Sequence, residues 1–227
     1  MYKNIVFDLG GVVVDFAPHD FLLDRFYDEA IETKVYDITF GSVEWRQLDA
    51  GELDREAGNA AMLQKAAEAG CTFEVQSVLD DWHRMLKTRR RTVDVMKRLK
   101  KMGFSLYYLS NIPWDVYEEM QHRDFWPLFE GGVASCEAGA NKPDPRIFQL
   151  LIERYGLVCS ETIFVDDNKL NTTAAYDLGI TGIHYKGGAS FLRALNACGG
   201  SIRVHLALDT GMHRLGFPSS EVDAVAA

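Results

Sequence analysis

A few short polar clusters in this chain carry side chains that can handle a phosphate group and a metal ion. The clusters are Asp8, Ser110-Asn111, Lys142 and Asp166-Asp167. An aspartate can act as a nucleophile when a metal and a nearby cation manage its charge, and paired carboxylates suit Mg²⁺. Hydroxyl, amide and main-chain N–H groups can hold phosphate oxygens. Together these residue types indicate a phosphoryl-transfer site.

The elements that must position these clusters alternate between strand and helix. Apolar runs predict strands at 3–8, 104–109, 133–136, 162–165 and 180–185. Between them, helices are predicted from Thr92, with Val93, Met96, Leu99 and Met102 on one face, from Pro145 after an Asp144 cap, and over 170–178. This order predicts a doubly wound, Rossmann-like parallel α/β sheet. Ligands bind outside the carboxyl ends of such strands, where three of the clusters lie.

A long helical stretch interrupts this alternation near the N-terminus. Gly10-Gly11 breaks the first strand, and the valines at 12–14 predict a further extended run. Residues 16–88 then show helical periodicity without a convincing strand. We therefore expect an α/β core formed by residues 1–15 and 89–199, an inserted helical cap at 16–88, and an appendage at 200–227.

Ordered motifs in this chain resemble those of the haloacid dehalogenase-like (HAD) hydrolase superfamily. They are Phe7-Asp8-Leu9-Gly10-Gly11-Val12, Leu109-Ser110-Asn111, Asn141-Lys142-Pro143-Asp144-Pro145-Arg146-Ile147-Phe148 and Phe164-Val165-Asp166-Asp167-Asn168. A single motif of this kind is weak evidence for a family, but four motifs in order, each on the expected strand or helix, are strong evidence. The helical insert is similar to the cap of the phosphatase branch that includes sugar-phosphate phosphatases.

The resemblance implies a Mg²⁺-dependent phosphatase with a defined set of site residues. Asp8 would attack phosphorus and form an aspartyl-phosphate that water hydrolyses. Mg²⁺ would be held by Asp8, by the carbonyl of Gly10 and by the acidic pair, with Asp167 as the direct ligand and Asp166 second. Lys142 would neutralise Asp8 and the phosphoryl oxygens.

The resemblance also implies how the substrate is held. Ser110 and Asn111 would bind the phosphate together with Lys142, and a small sugar phosphate is the expected substrate. The cap would select it, but aromatic residues at helical spacing are more often core than ligand platform. We therefore leave several cap residues out of the predicted site: His19, Trp45, Arg46, Trp82, His83 and Arg84.

One position departs from the pattern of the superfamily. Most of its phosphatases carry a second aspartate two residues after the nucleophile, and this chain has Gly10 there. Because glycine has no side chain, proton transfer loses its usual carrier. General acid–base catalysis typically raises a reaction rate about 10²–10⁴-fold, so this loss is large. The resemblance to a sugar-phosphate branch with a similar Asp-Leu-Gly opening implies that a water, the substrate or a cap residue can replace this aspartate. Two alternatives to an ordinary phosphatase also stay open: a catalytically weak protein that binds a phosphorylated ligand, and a metal-independent 2-haloacid dehalogenase, against which the acidic pair Asp166-Asp167 counts.

Charge and composition exclude several other classes. The chain has 24 Lys and Arg against 33 Asp and Glu, a net charge of −9, so nucleic-acid binding is not expected and Arg89-Arg90-Arg91 is interpreted as a solvated face. No apolar stretch has the length of a membrane helix. Without a signal-like N-terminus or a paired-cysteine motif, the protein is expected in the cytoplasm, acting on a small phosphorylated substrate.

The segment from Val204 to Phe217 is similar to a signature of alanine racemases, which are pyridoxal-phosphate enzymes. About fourteen residues match, and the lysine that usually bears the cofactor is in a region this chain lacks. We therefore assign no racemase activity to the appendage.

Overall fold

The computed structural model describes residues 1–198. The appendage predicted at 200–227, with its racemase-like segment, lies outside the described residues.

A five-stranded parallel sheet organises the α/β part of the chain. Its strands are β1 (Asn4–Phe7), β2 (Ser105–Ser110), β3 (Gly131–Ala134), β4 (Thr162–Asp166) and β5 (Thr181–His184). The strand order is β3-β2-β1-β4-β5, and every neighbouring pair is parallel. The chain therefore reverses its winding direction at β1, which is the position where such sheets open a crevice for ligands.

Alternating side chains of the strands build two apolar layers, one on each face of the sheet. Ile5 and Phe7 pack into one layer, whereas Val6 packs into the other. Because successive strand residues point to opposite faces, both faces must be covered by helices. The helices of the α/β part are α6 (Arg90–Lys101), α7 (Trp114–Gln121), α8 (Ser135–Ala138), α9 (Pro145–Tyr155), α10 (Lys169–Asp177) and α11 (Gly188–Ala197). Helices α6, α7 and α11 cover the first face and α9 and α10 the second, which confirms the doubly wound fold.

The helical insert (residues 16–88) contains no strand in the structure, as predicted. Its helices are α1 (Pro18–Phe26), α2 (Glu29–Ile38), α3 (Val43–Asp49), α4 (Arg55–Ala69) and α5 (Thr72–Asp81), followed by a 3₁₀ turn at Trp82–Met85. The two segments that connect the insert to the α/β part run side by side and are joined by an antiparallel bridge between Val14 and Thr88. Arg89 closes this junction by donating to Asp15 at 2.7 Å and to the carbonyl oxygen of Gly11.

Some local predictions were wrong. The residues at 11–13 form a turn rather than an extended run, because Leu9 O accepts from the N–H groups of Val12, Val13 and Val14. Met102 follows the end of α6 and is 41% exposed, so it is not part of the buried face. Arg89 is half-buried in its contacts with Asp15 rather than solvated.

Among residues 1–198, no helix combines the length and the apolar character needed to cross a membrane.

Candidate active site

A buried ammonium group lies at the centre of the predicted site. Lys142 Nζ is 2.9 Å from Asp8 Oδ1 and 2.7 Å from Asp166 Oδ2, and it also donates to the carbonyl oxygen of Leu109 at 2.8 Å. Because β1 is paired with both β2 and β4, the residues that end these strands converge. One cation therefore joins the carboxyl ends of three adjacent strands.

Asp166 orients this lysine through a firmly held carboxylate. It is fully buried, and its carboxylate accepts two contacts from Asn171 Nδ2 at 3.1 Å and one from the Asn168 N–H at 2.8 Å. Asn168 caps α10 by accepting from the Leu170 N–H, so the first turn of that helix supplies both partners of Asp166. Asp166 is thus held by groups that fix its direction toward Lys142.

Asn111 fixes the main chain of Lys142. Its Nδ2 donates to Lys142 O at 3.0 Å, and its Oδ1 accepts from the Lys142 N–H at 2.7 Å. Both ends of the Asn111 amide are therefore engaged with the main chain of Lys142. Ser110 Oγ lies 3.5 Å from Asn111 O, too long for a strong hydrogen bond. This hydroxyl is therefore the better placed of the two side chains to donate to an anion.

Three carboxylates face each other at one edge of the sheet. Oxygens of Asp8, Asp166 and Asp167 all lie within 4.8 Å of one another. Burial raises the pKa of Asp8 well above its ordinary value; Lys142 opposes this shift, and the two other carboxylates add to it. Burial also acts to lower the pKa of Lys142, but Asp166 and Asp8 outweigh it and hold this pKa above the ordinary value. Three carboxylates against one ammonium leave a negative excess that suits a divalent cation.

The glycine turn after β1 permits this approach. Gly11 has φ +71°, and a Cβ on it would lie 2.0 Å from Asp167 Oδ2. Gly10 has ordinary room, since its nearest side-chain atom would be 3.5 Å from an added Cβ. Asp167 thus lies against a backbone that only a glycine leaves open.

The predicted site residues line a cavity of about 460 Å³ between the sheet edge and the helical insert. The lining includes Asp8, Gly10, Ser110, Asn111, Lys142 and Asp167, whereas Asp166 is fully buried and contacts Lys142. The structure therefore brings together every residue that was predicted for the site.

Other lining residues come from the helical insert; leaving Trp45, Arg46 and Trp82 out of the predicted site was wrong, and the remaining ones were missed by the sequence analysis. The insert contributes Phe16, Tyr36, Phe40, Trp45, Arg46, Asp49 and Trp82. Trp45 and Trp82 pack edge to face at 4.8 Å, with Phe40 against both, so their helical spacing correctly indicated a core. The inner surface of that core is also a wall of the cavity, which spacing alone does not show.

The site combines an aspartate after the first strand of a doubly wound sheet with a lysine–carboxylate cluster and a helical insert over the strand ends. These features are typical of the haloacid dehalogenase-like class of α/β proteins. This chain belongs to the haloacid dehalogenase-like hydrolases, whose family model matches residues 2–179. A second model, that of the alanine racemase N-terminal domain, matches residues 152–227. It covers a third of the chain and overlaps the α/β part.

Similar proteins include two phosphatases. A sesquiterpene phosphatase from Aspergillus oryzae is 26% identical over 81% of this chain and 89% of its own length. A D-ribitol-5-phosphate phosphatase from Bacteroides thetaiotaomicron is 26% identical over 86% of this chain and 97% of its own. A solved HAD-family enzyme from Bacteroides thetaiotaomicron, in complex with magnesium and inorganic phosphate, has a TM-score of 0.63 at 23% identity, covering 83% of this chain and 96% of that one.

The two adjacent glycines allow a matched test of the geometry around Asp167. Gly11→Ala is expected to destabilise the protein by about 1–3 kcal/mol, because the methyl group meets Asp167 and the backbone is left-handed. Gly10→Ala, with room for its methyl group, is expected to cost less than about 1 kcal/mol. Urea unfolding without added metal measures both, and equal free energies of unfolding would contradict this geometry.

Proposed function

We propose that this protein is a Mg²⁺-dependent phosphatase that hydrolyses a small phosphate monoester through an aspartyl-phosphate on Asp8. The observation that carries the proposal is the position of Asp8, which lines the same cavity as Ser110 and Asp167 and has its carboxylate 2.9 Å from Lys142 Nζ. Family membership and two phosphatases among the relatives support it.

The carboxylate cluster fits a magnesium ion. Its oxygens lie within 4.8 Å of one another, and hard oxygen ligands are those that Mg²⁺ prefers. We assign the ion to Asp8, the Gly10 carbonyl and Asp167 directly, with Asp166 as the second acidic group. The bound ion would polarise the phosphoryl group and offset the charge that gathers on its oxygens.

The side chains of this protein then have separate tasks in the reaction. Asp8 Oδ attacks phosphorus, while Lys142 favours the ionised form of the attacking carboxylate and balances the phosphoryl charge. Ser110 Oγ and the Asn111 N–H hold phosphoryl oxygens in place, which turns a bimolecular attack into an oriented one. We further propose that residues 1–15 and 89–199 act as the catalytic core and residues 16–88 as a cap that limits bulk water in the cavity.

Two substrate classes have different support. A sugar phosphate follows from the phosphatase branch that the sequence resembles and from the ribitol-phosphate phosphatase among the relatives. The lining of the insert favours a more apolar ester, because it offers mainly the rings of Phe16, Tyr36, Phe40, Trp45 and Trp82. Hydroxyl groups buried against such rings would lose their hydrogen bonds to water. We therefore carry an apolar alcohol as the second candidate for the esterified group.

Replacement of the nucleophile tests the mechanism. Asp8→Asn is expected to lower kcat for p-nitrophenyl phosphate by about 10³-fold or more, because the amide cannot form the phosphoenzyme. The protein should be less stable but still folded, since Lys142 keeps its contact with Asp166. Steady-state kinetics and a thermal melt measure both effects, with the exposed Asp124→Asn as the control. Undiminished turnover in Asp8→Asn would refute the mechanism, and tight phosphate-ester binding without turnover in the unchanged protein would favour the ligand-binding alternative.

Metal dependence separates phosphatase from dehalogenase chemistry. Chelation with EDTA is expected to abolish phosphatase activity and Mg²⁺ to restore it, because the negative excess at the cluster then lacks its counter-charge. Asp167→Asn should raise the Mg²⁺ concentration for half-maximal activity about tenfold or more. A magnesium titration of initial rates measures this. Halide release from a 2-haloacid that persists in EDTA would instead support the dehalogenase.

A substrate panel distinguishes the two ester classes. If the aromatic wall holds the alcohol, kcat/KM for an isoprenyl monophosphate should exceed that for ribitol 5-phosphate about tenfold or more, since each buried methylene is worth roughly 0.8 kcal/mol. Tyr36→Ala should reduce this ratio about threefold, whereas Tyr176→Ala, 74% exposed on α10, should leave it unchanged. A preference for ribitol 5-phosphate would return the assignment to sugar phosphates.

A further inference from the structure

The proposed reaction needs a proton donor that the loop after β1 does not supply. The alcohol leaves as an alkoxide unless a group protonates its oxygen, and Gly10 has no side chain with which to do so. Among the described residues, the carboxyl groups that line the cavity belong to Asp8, Asp49 and Asp167. Asp8 and Asp167 are assigned to the nucleophile and the metal, so Asp49 is the carboxyl group left for proton transfer.

Asp49 is placed at this cavity by the end of α3, where the insert touches the α/β part. Its main-chain oxygen accepts from Ser135 Oγ at 2.5 Å, and the same Oγ accepts from the Ile112 N–H at 2.8 Å. Ile112 follows the phosphate-binding pair Ser110-Asn111 directly, so one hydroxyl links Asp49 to that loop. Gly51 allows the close contact, because a Cβ there would lie 2.5 Å from the carbonyl oxygen of Cys136.

The surroundings of Asp49 suit a group that must carry a proton. Within residues 1–198, no hydrogen bond or ion pair engages its carboxyl group. Arg55, on the neighbouring α4, is paired with Asp115 of α7 through contacts of 2.8 and 3.1 Å. Lys142 is committed to Asp8 and Asp166, and the thiol of Cys136 on α8 is a further titratable neighbour. Asp49 therefore lines the cavity without an ion pair to either Arg55 or Lys142.

These surroundings set the proton affinity of Asp49. Burial raises its pKa to about 7, Arg55 and Lys142 lower it, and Asp115 raises it further. A pKa near neutrality lets one group both give and take a proton at physiological pH. The pKa is raised because desolvation favours the neutral form of a carboxyl group.

We propose that Asp49 is the general acid and base of this enzyme and replaces the aspartate that the chain lacks at Gly10; the proposal rests on the phosphatase function proposed above. In the first step, Asp8 Oδ forms a bond to phosphorus, the bond from phosphorus to the alkoxy oxygen breaks, and Asp49 gives its proton to that oxygen. In the second, water attacks the phosphoryl group, Asp49 takes the proton of the water, and the bond from phosphorus to Asp8 breaks. Phosphate and alcohol leave, and both aspartates return to their starting states.

The dependence on the leaving group tests this role. Asp49→Asn should lower kcat/KM for n-hexyl phosphate about 10²–10³-fold, because an alkoxide is a poor leaving group without a proton. For p-nitrophenyl phosphate, whose phenolate leaves unprotonated, the change should stay below about threefold. In the unchanged protein, kcat/KM for n-hexyl phosphate should fall on the alkaline side of about pH 7, and this limb should be absent in Asp49→Asn.

Controls separate this proposal from a structural role and from failure of the phosphatase assignment. Asp37→Asn, an exposed carboxyl on α2, should leave both esters unaffected, and thermal melts should show Asp49→Asn folded. An equal loss on the two esters, or turnover of the aryl ester alone by the unchanged protein, would overturn the role of Asp49. If the unchanged protein hydrolyses neither ester nor any in the panel, the proposed phosphatase function itself fails.

Discussion

The buried ammonium of Lys142 is the interaction on which this site depends. Adjacent parallel strands bring Asp8 and Asp166 to the same edge of the sheet, where their charges would repel without a cation between them. Removing one partner of such a buried cluster typically costs about 3–5 kcal/mol. Asn111 holds the main chain of Lys142, and Asn171 holds the carboxylate of Asp166. The segments that follow β2 and β4 therefore position the ion pair as well as connecting the strands to helices.

The second constraint is the closeness of the turn after β1 to the turn after β4. Asp167 lies where a side chain on Gly11 would be, and the carbonyl of that glycine accepts from Arg89 at the junction with the insert. The carboxylate cluster, the glycine turn and the entry of the insert are therefore one packed unit. A change in any of them alters the distance between the acidic groups and the wall that the insert provides.

Local patterns predicted the sheet, the helices that cover it and the residues at the strand ends, because each depends on neighbours close in sequence. The strand ending at Asp8 and the helix after Asp144 are read from apolar runs and caps within a few residues. The HAD-like hydrolase family was also predicted from such short motifs, and the match of its family model to residues 2–179 confirms it. Local patterns could not identify Asp49, because its proposed role depends on the contact between the end of α3 and Ser135, 86 residues away in the chain. The same holds for Trp45 and Trp82, whose spacing shows burial but not the cavity beyond.

The placement of Asp49 follows from the electrostatics of the cluster. A carboxyl group on the loop after β1 would share the field of three carboxylates, one ammonium and a divalent cation, so its proton affinity would follow every change in that charge. On the insert, desolvation raises the pKa of Asp49 to about 7 against the opposing effects of Arg55 and Lys142. The insert that limits water in the cavity then also supplies the proton, and Asp49 can act only when α3 lies against Ser135. In the proposed mechanism, proton transfer is thereby tied to the packing of α3 on the α/β part, and Gly10 needs to offer only its main-chain carbonyl to the metal.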